Sequence, residues 1–157
     1  MPRRSVNYSC SVCSFSLWHP IARLSVSTLG LYNDSRFPGR CILILDKHEE
    51  DFSELNADLA TSFIKDAQIA SRAIRKVTNS NRINYAILGN RVPHIHFHLI
   101  PRGTPNDPDF TRSPWDTSVE KTEMADEATR NLIEDISAAL DKTVSASADP
   151  FLRTIVL

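Results

Sequence analysis

An excess of charge is the first thing missing: 18 basic and 19 acidic residues among 157 leave a formal net charge of -1. Neither sign forms a long run, so a surface built for a polyanion or an acidic membrane is not expected, and nucleic acid is not the expected partner. Long apolar runs are missing too. No window approaches the ~20 apolar residues that a membrane span needs, and the N-terminal MPRRSVNYSCSVCSFSLWHPIARL has no uninterrupted apolar stretch of signal-peptide length. A cytoplasmic chain is therefore expected. Cysteine is scarce. Cys10, Cys13 and Cys41 cannot pair completely, and a reducing compartment would leave them as thiols available for metal or redox chemistry. There are no internal repeats and no low-complexity tract. With 41% hydrophobic and 24% charged residues, the composition is that of one ordinary globular domain over residues 1–157.

Proline and glycine punctuation divides the chain into a few elements. Arg23 to Tyr32, rich in Val, Ser, Thr and Leu, predicts a strand. After the turn-forming NDSRFPG, the run RCILILDKH predicts a strand buried on both faces. The period then changes. Leu55, Leu59, Phe63, Ala67, Ala70, Ile74 and Val77 recur at steps of three and four, predicting a long amphipathic helix with Ser53 as N-cap, Glu54 in its first turn and Asn79-Ser80-Asn81 at its end. RINYAIL and HIHFHLIPR predict two further strands joined by a short link. Gly103 to Trp115 reads as loop, Ala125 to Leu140 as a second helix, and FLRTIVL as a closing strand. Strands grouped around one long helix, with a C-terminal helix, indicate an α+β fold with a mostly antiparallel sheet.

The stretch VPHIHFHLIPR holds three of the chain's five histidines. At two-residue spacing in a strand, His94, His96 and His98 project to one face while Ile95, Phe97 and Leu99 project to the core, which pins the register. A regular strand sets the backbones of His94 and His98 about 13 Å apart, too far for both to bind one small atom, so His96 is the central group. An unprotonated imidazole can attack an electrophile and leave an N-linked intermediate that water later breaks. Packing alone does not ask for three imidazoles in this pattern.

HIHFHLIPR resembles the histidine-triad family of nucleotide hydrolases and transferases, whose signature is His-x-His-x-His followed by two apolar residues. The resemblance runs from Leu31 to Trp115, where LYNDSRFPGRCILILDKHEED is similar to the family's first strand pair. GNRVPHIHFHLIPR and the later SPW resemble its diadenosine-tetraphosphatase-like branch. It implies a HIT-like fold, a homodimer, and attack by His96 on the α-phosphorus of a nucleotide. A nucleotidyl-histidine would form, and water would then release a nucleoside monophosphate, AMP for an adenosine substrate. His98 would hydrogen-bond the phosphoryl oxygens, and His94 would help to hold the site together. Asn90 stands where many members have glutamine and would donate to the phosphate or leaving group. Asn33 and Asp34 resemble the ribose contact, although the pair is also a common turn signal. Asn84 would line the pocket. Arg40, after Pro38-Gly39, stands where many members have histidine. The transferase branch resembles His-x-His-x-Gln, so His98 favours hydrolysis. The leaving group stays open among phosphoramidates, dinucleoside polyphosphates and aminoacyl adenylates. Two competing functions are a non-catalytic nucleotide-binding scaffold and a DNA de-adenylating repair enzyme. Intact His96 and His98 argue against the first, and the absence of a basic excess against the second.

Cys10-Ser-Val-Cys13 has the gap of a metal knuckle, and by itself leaves a redox pair, a metal pair and accidental spacing open. The resemblance adds His48, in LDKH, and His94 as the remaining ligands of a zinc ion. Cys10, Cys13, His48 and His94 would then form a closed tetrahedral set, which is structural rather than catalytic. His19 is an alternative ligand. Cys41 reads as core, as do Phe63, Phe97 and Tyr85.

Overall fold

The computed structural model describes residues 6–146; the expected strand FLRTIVL lies outside them. Five strands form one sheet: β1 (Pro20–Arg23), β2 (Ser27–Leu31), β3 (Cys41–Leu45), β4 (Arg82–Ile87) and β5 (His96–Arg102). Their order is β1-β2-β3-β5-β4, and every neighbouring pair is antiparallel. Two helices, α1 (Ala57–Thr78) and α2 (Asp126–Ser145), complete the α+β architecture that the sequence predicts.

One face of the sheet carries the main core. Phe63, Ala67, Ala70 and Ile74 of α1 meet Leu43, Leu45, Phe97 and Leu99 of the sheet, with Ile136 and Leu140 of α2 packed behind them. The rings of Phe63 and Phe97 stack at 5.0 Å, and the alanines on α1 leave room for the neighbouring helix to approach. The other face is covered in part by the N-terminal segment, whose Tyr8 and Cys10 are buried against Ile44. β3 is thus buried on both faces throughout, as its unbroken apolar run requires.

Three local expectations are corrected. Arg23 to Tyr32 is not one strand. The chain turns at Leu24–Val26, because Asp66, fully buried on α1, accepts from the backbone nitrogens of Ser25 and Val26 and from the hydroxyls of Ser25 and Ser27. A tertiary acceptor bends a stretch of strand propensity. Ser53 is not the cap of α1. It lies in a short 3-10 turn (Phe52–Glu54) capped by Asp51, and Asn56 caps the helix by accepting from Leu59 N at 2.9 Å. Asn79 ends the helix in the left-handed conformation, φ 51°, which asparagine tolerates. Tyr85 is not core: on the edge strand β4 it is half exposed, with its edge against Phe97.

Candidate functional site

β5 lies between β3 and β4, so its register is fixed from both sides: His96 faces Ile44, and His98 faces Ile42 on one flank and Ala86 on the other. Ile95, Phe97 and Leu99 are buried, as the alternation requires. The regular strand begins only at His96. His94 belongs to the preceding tight turn, where its backbone nitrogen donates to Val92 O at 2.8 Å.

The strand places His96 and His98 in the wall of a cleft of about 410 Å³, together with Asn90, Arg40, Phe15 and Trp115. Hydrogen bonding fixes both rings. His96 Nδ1 lies 2.7 Å from the carbonyl oxygen of His94. A carbonyl only accepts, so Nδ1 carries the proton and Nε2 keeps its lone pair. Phe15 lies nearly parallel to this ring, at 6.2 Å and 14°. His98 has the opposite tautomer. Its Nδ1 accepts from Arg40 Nη2 at 3.1 Å, which leaves the proton on Nε2. Burial, the Arg40 charge and His96 push the His98 imidazole down to about 3, so it stays neutral in ordinary buffers. The two rings thus have opposite tautomers, His96 presenting Nε2 for attack and His98 presenting Nε2–H as a donor.

Arg40 is almost fully enclosed. Its guanidinium lies 4.2 Å from the centre of the Tyr32 ring and 5.4 Å from that of Trp115, and Nη1 donates to Asp34 at 3.0 Å. Asp34 is also held by Arg36 at 2.8 Å. Burial pushes the Asp34 carboxyl up, but the Arg36 hydrogen bond and charge, then Arg40, outweigh it and hold it below the usual carboxylate range. Asn33 accepts from Met124 N and donates to Thr129, tying the end of β2 to α2. Neither Asn33 nor Asp34 is in the cleft wall, and nor is Asn84. Asn84 instead accepts from the buried Arg102 at 2.7 Å, an arginine that also binds Asp107 and the carbonyl oxygens of Asp109 and Arg112. Arg102 thereby pins the loop that follows β5.

A second constellation lies behind the cleft. Cys10, Cys13, His48 and His94 present four ligand atoms all within 4.8 Å of one another. The Nδ1 atoms of His48 and His94 are 3.3 Å apart, Cys10 Sγ lies 3.5 Å from His48 Nδ1, and Cys13 Sγ 3.4 Å from His94 Nδ1. Bond lengths of about 2.3 Å to sulfur and about 2.05 Å to nitrogen around a tetrahedral ion put nitrogens about 3.3 Å apart and sulfur about 3.5 Å from nitrogen. The donor set therefore fits a metal ion. The outer nitrogens are oriented as metal-bound imidazoles require: His94 Nε2 donates to Leu45 O at 2.8 Å, and His48 Nε2 lies 3.3 Å from Glu50. Tyr8, which sequence patterning does not single out, donates its hydroxyl to Leu45 O at 3.2 Å and packs edge-on to His94. Ser14, at φ 61°, and the Cys10 N to Phe15 O bond close the knuckle, which sets Phe15 against His96.

These features define a histidine-triad site on an antiparallel α+β sheet. The HIT domain matches residues 22–104, slightly more than half of the chain, and the protein belongs to this family. An uncharacterised HIT-like protein of Methanocaldococcus jannaschii is 32% identical over 71 residues; the match covers 43% of this chain and 55% of that relative's length. Among solved structures, a histidine triad protein of Sinorhizobium meliloti superposes with a TM-score of 0.69 at 24% identity, over 77% of this chain and 88% of that one. A Zn-bound histidine triad family protein of Mycobacterium smegmatis gives 0.60 at 19% identity, over 82% and 87%. The Plasmodium falciparum diadenosine triphosphate hydrolase gives 0.55 at 16%, over 92% and 88%.

Proposed function

We propose that the protein is a nucleotide hydrolase that releases a nucleoside monophosphate through a nucleotidyl-histidine intermediate. The observation that carries this reading is the 2.7 Å bond from His96 Nδ1 to the carbonyl oxygen of His94, which leaves Nε2 unprotonated at the cleft. The Nε2 lone pair forms a bond to the α-phosphorus of a phosphoramidate or phosphoanhydride. The leaving group departs with the electron pair of the broken bond and takes up a proton. His98 Nε2–H and the Asn90 amide donate to the oxygens on which charge builds. Water then adds to phosphorus and gives up a proton to solvent, which balances the one taken by the leaving group; the P–N electron pair returns to Nε2, and the monophosphate is freed. The diadenosine triphosphate hydrolase among the structural neighbours supports this class of chemistry, and AMP is the product expected from an adenosine substrate.

The Cys10, Cys13, His48 and His94 set is proposed to hold a structural zinc ion. Two thiolates and two imidazoles fill a tetrahedron and leave no position for an activated water, so the ion would fasten the knuckle to the catalytic strand without entering the reaction. The Zn-bound relative from M. smegmatis supports the choice of metal. A homodimer is proposed through β4, an edge strand among the described residues, where Tyr85 and Ile87 are exposed.

His96→Ala is expected to abolish monophosphate release while nucleotide binding persists. Acid quenching of wild type with a substrate labelled at the α-phosphorus should leave label on the protein. The measurement is a panel of adenosine phosphoramidate, diadenosine polyphosphates and aminoacyl adenylates scored for release of monophosphate. A His96→Ala variant retaining a tenth of the wild-type rate would overturn the covalent route.

A further inference from the structure

Arg40 precedes β3 directly, and its place is set before its side chain is considered. Its backbone oxygen accepts from Tyr32 N at 2.8 Å and its nitrogen donates to Phe37 O at 2.9 Å. Gly39 beside it has φ 88°, and a Cβ there would meet Thr78 Cγ2 at 2.4 Å, so the turn that delivers Arg40 demands glycine. The side chain is 4% exposed and bridges two groups of opposite character, the Asp34 carboxylate and the His98 ring nitrogen. Asp34 already has Arg36 as a second partner, so two guanidiniums share one carboxylate and a positive charge is left over beside the cleft. Among the described residues, the buried Nε of Arg40 has no partner.

A guanidinium has five donors and no acceptor, and it does not lose its proton in proteins. An imidazole at this position would titrate and could either donate to His98 or accept from it. Arginine can only donate. We propose that Arg40 is a positioning residue that locks His98 in its Nε2–H tautomer, so that a proton always points from His98 toward the bound phosphoryl group. Clamping between Tyr32 and Trp115 and the bond to Asp34 hold the fork in one orientation. Among the described residues, the titratable or charged groups that face His98 are Arg40 itself, His96 at 5.2 Å between ring centres, and the Tyr32 phenol ring at 6.3 Å. None of these is a carboxylate, so no direct neighbour favours a second proton on His98.

The test is nitrogen NMR of the histidine side chains in the free, zinc-loaded protein between pH 5 and 8, for wild type, Arg40→Met and Arg40→Lys. Methionine keeps length and packing but has no donor; lysine keeps a donor and the charge. In wild type, His98 should show a bare Nδ1 and a protonated Nε2 throughout the range. Arg40→Met should show a mixture of tautomers or a proton arriving on Nδ1 toward pH 5, and Arg40→Lys should restore the wild-type pattern. An Nδ1–H form in wild type, or a pure Nε2–H form in Arg40→Met, would overturn the assignment. The kinetic arm rests on the hydrolase reading: Arg40→Met should lower kcat at least tenfold with a smaller change in KM, and Arg40→Lys should recover most of it. Unchanged kcat in Arg40→Met would overturn the catalytic relevance of the lock. A protein without turnover on any substrate that still shows the tautomer change would sink the hydrolase reading and support the positioning role.

Discussion

Because the folded protein holds His98 neutral down to about pH 3, while an unfolded histidine takes up its proton near ~6.5, acid favours the unfolded chain between those values. The contribution to stability is complete above ~6.5 and is lost as the pH falls toward 3. Urea denaturation of wild type at pH 7 and pH 4.5, set against His98→Asn, measures it: the variant should lose less stability between the two pH values. An equal loss in both proteins would show that His98 does not resist protonation. At this scale the sequence was informative where a residue type carries its chemistry alone. His96 and His98, two apart on one strand face, stand in the cleft wall, and Asn90, which only the resemblance singled out, stands there with them. What could not be read is pairing across long separations: Tyr8 with His94, Phe15 with His96, and Arg40 with Asp34 and His98. Asn84 was assigned to the pocket by resemblance and is engaged by Arg102 instead, because its place on β4 faces Ile100 rather than the histidines.

The helices and the two strands with strong periodicity follow from the spacing of their apolar residues, since burial of one face decides their type. Their ends do not follow, because a cap depends on which of several suitable polar residues has extended backbone geometry. Ser53, Asn56 and Asp51 all suit that role chemically. Asn56 fills it for α1, with φ -64° and ψ 154° and a side chain that accepts from Leu59 N. Asn56→Ala should therefore lower stability by ~1 kcal/mol, and Ser53→Ala by less, since the Ser53 hydroxyl bonds only to exposed Asp51. Thermal melts of the two variants decide between the positions, and a larger loss for Ser53→Ala would return the cap to Ser53. The division of Arg23 to Tyr32 into β1 and β2 depends on Asp66, some forty residues away, and has no local signal.

At the scale of the molecule, the knuckle joins the N-terminal segment to the turn before β5 through residues as far apart as Cys13 and His94. Structural zinc can supply ~10 kcal/mol or more of apparent binding energy in small peptides; in a domain with its own core, only part of that should appear as stability. Cys13→Ser is expected to lower the zinc content from one per chain and the melting temperature together, and to weaken activity through displacement of His94 and Phe15. Elemental mass spectrometry with a thermal melt on both proteins checks this. A metal-free wild type with full activity would leave Cys10 and Cys13 as ordinary thiols.

The position of β5 between two partner strands also bears on the order in which parts of the protein come apart. Amide protons from Phe97 to Leu99 lie within a sheet closed on both flanks, by Cys41–Leu43 on one side and Tyr85–Ile87 on the other, and His96 adjoins them, paired with Ile44. Their exchange with deuterated solvent should require opening of the whole domain and be among the slowest in the chain. Trp18 and Trp115, which flank the cleft, stand outside the sheet and are exposed. On heating, His96, the proposed nucleophile, should keep its station until the fold is lost, so loss of the proposed activity should coincide with global melting rather than precede it. Any adjustment to a substrate then falls to the aromatic walls, on a timescale much shorter than that of strand exchange.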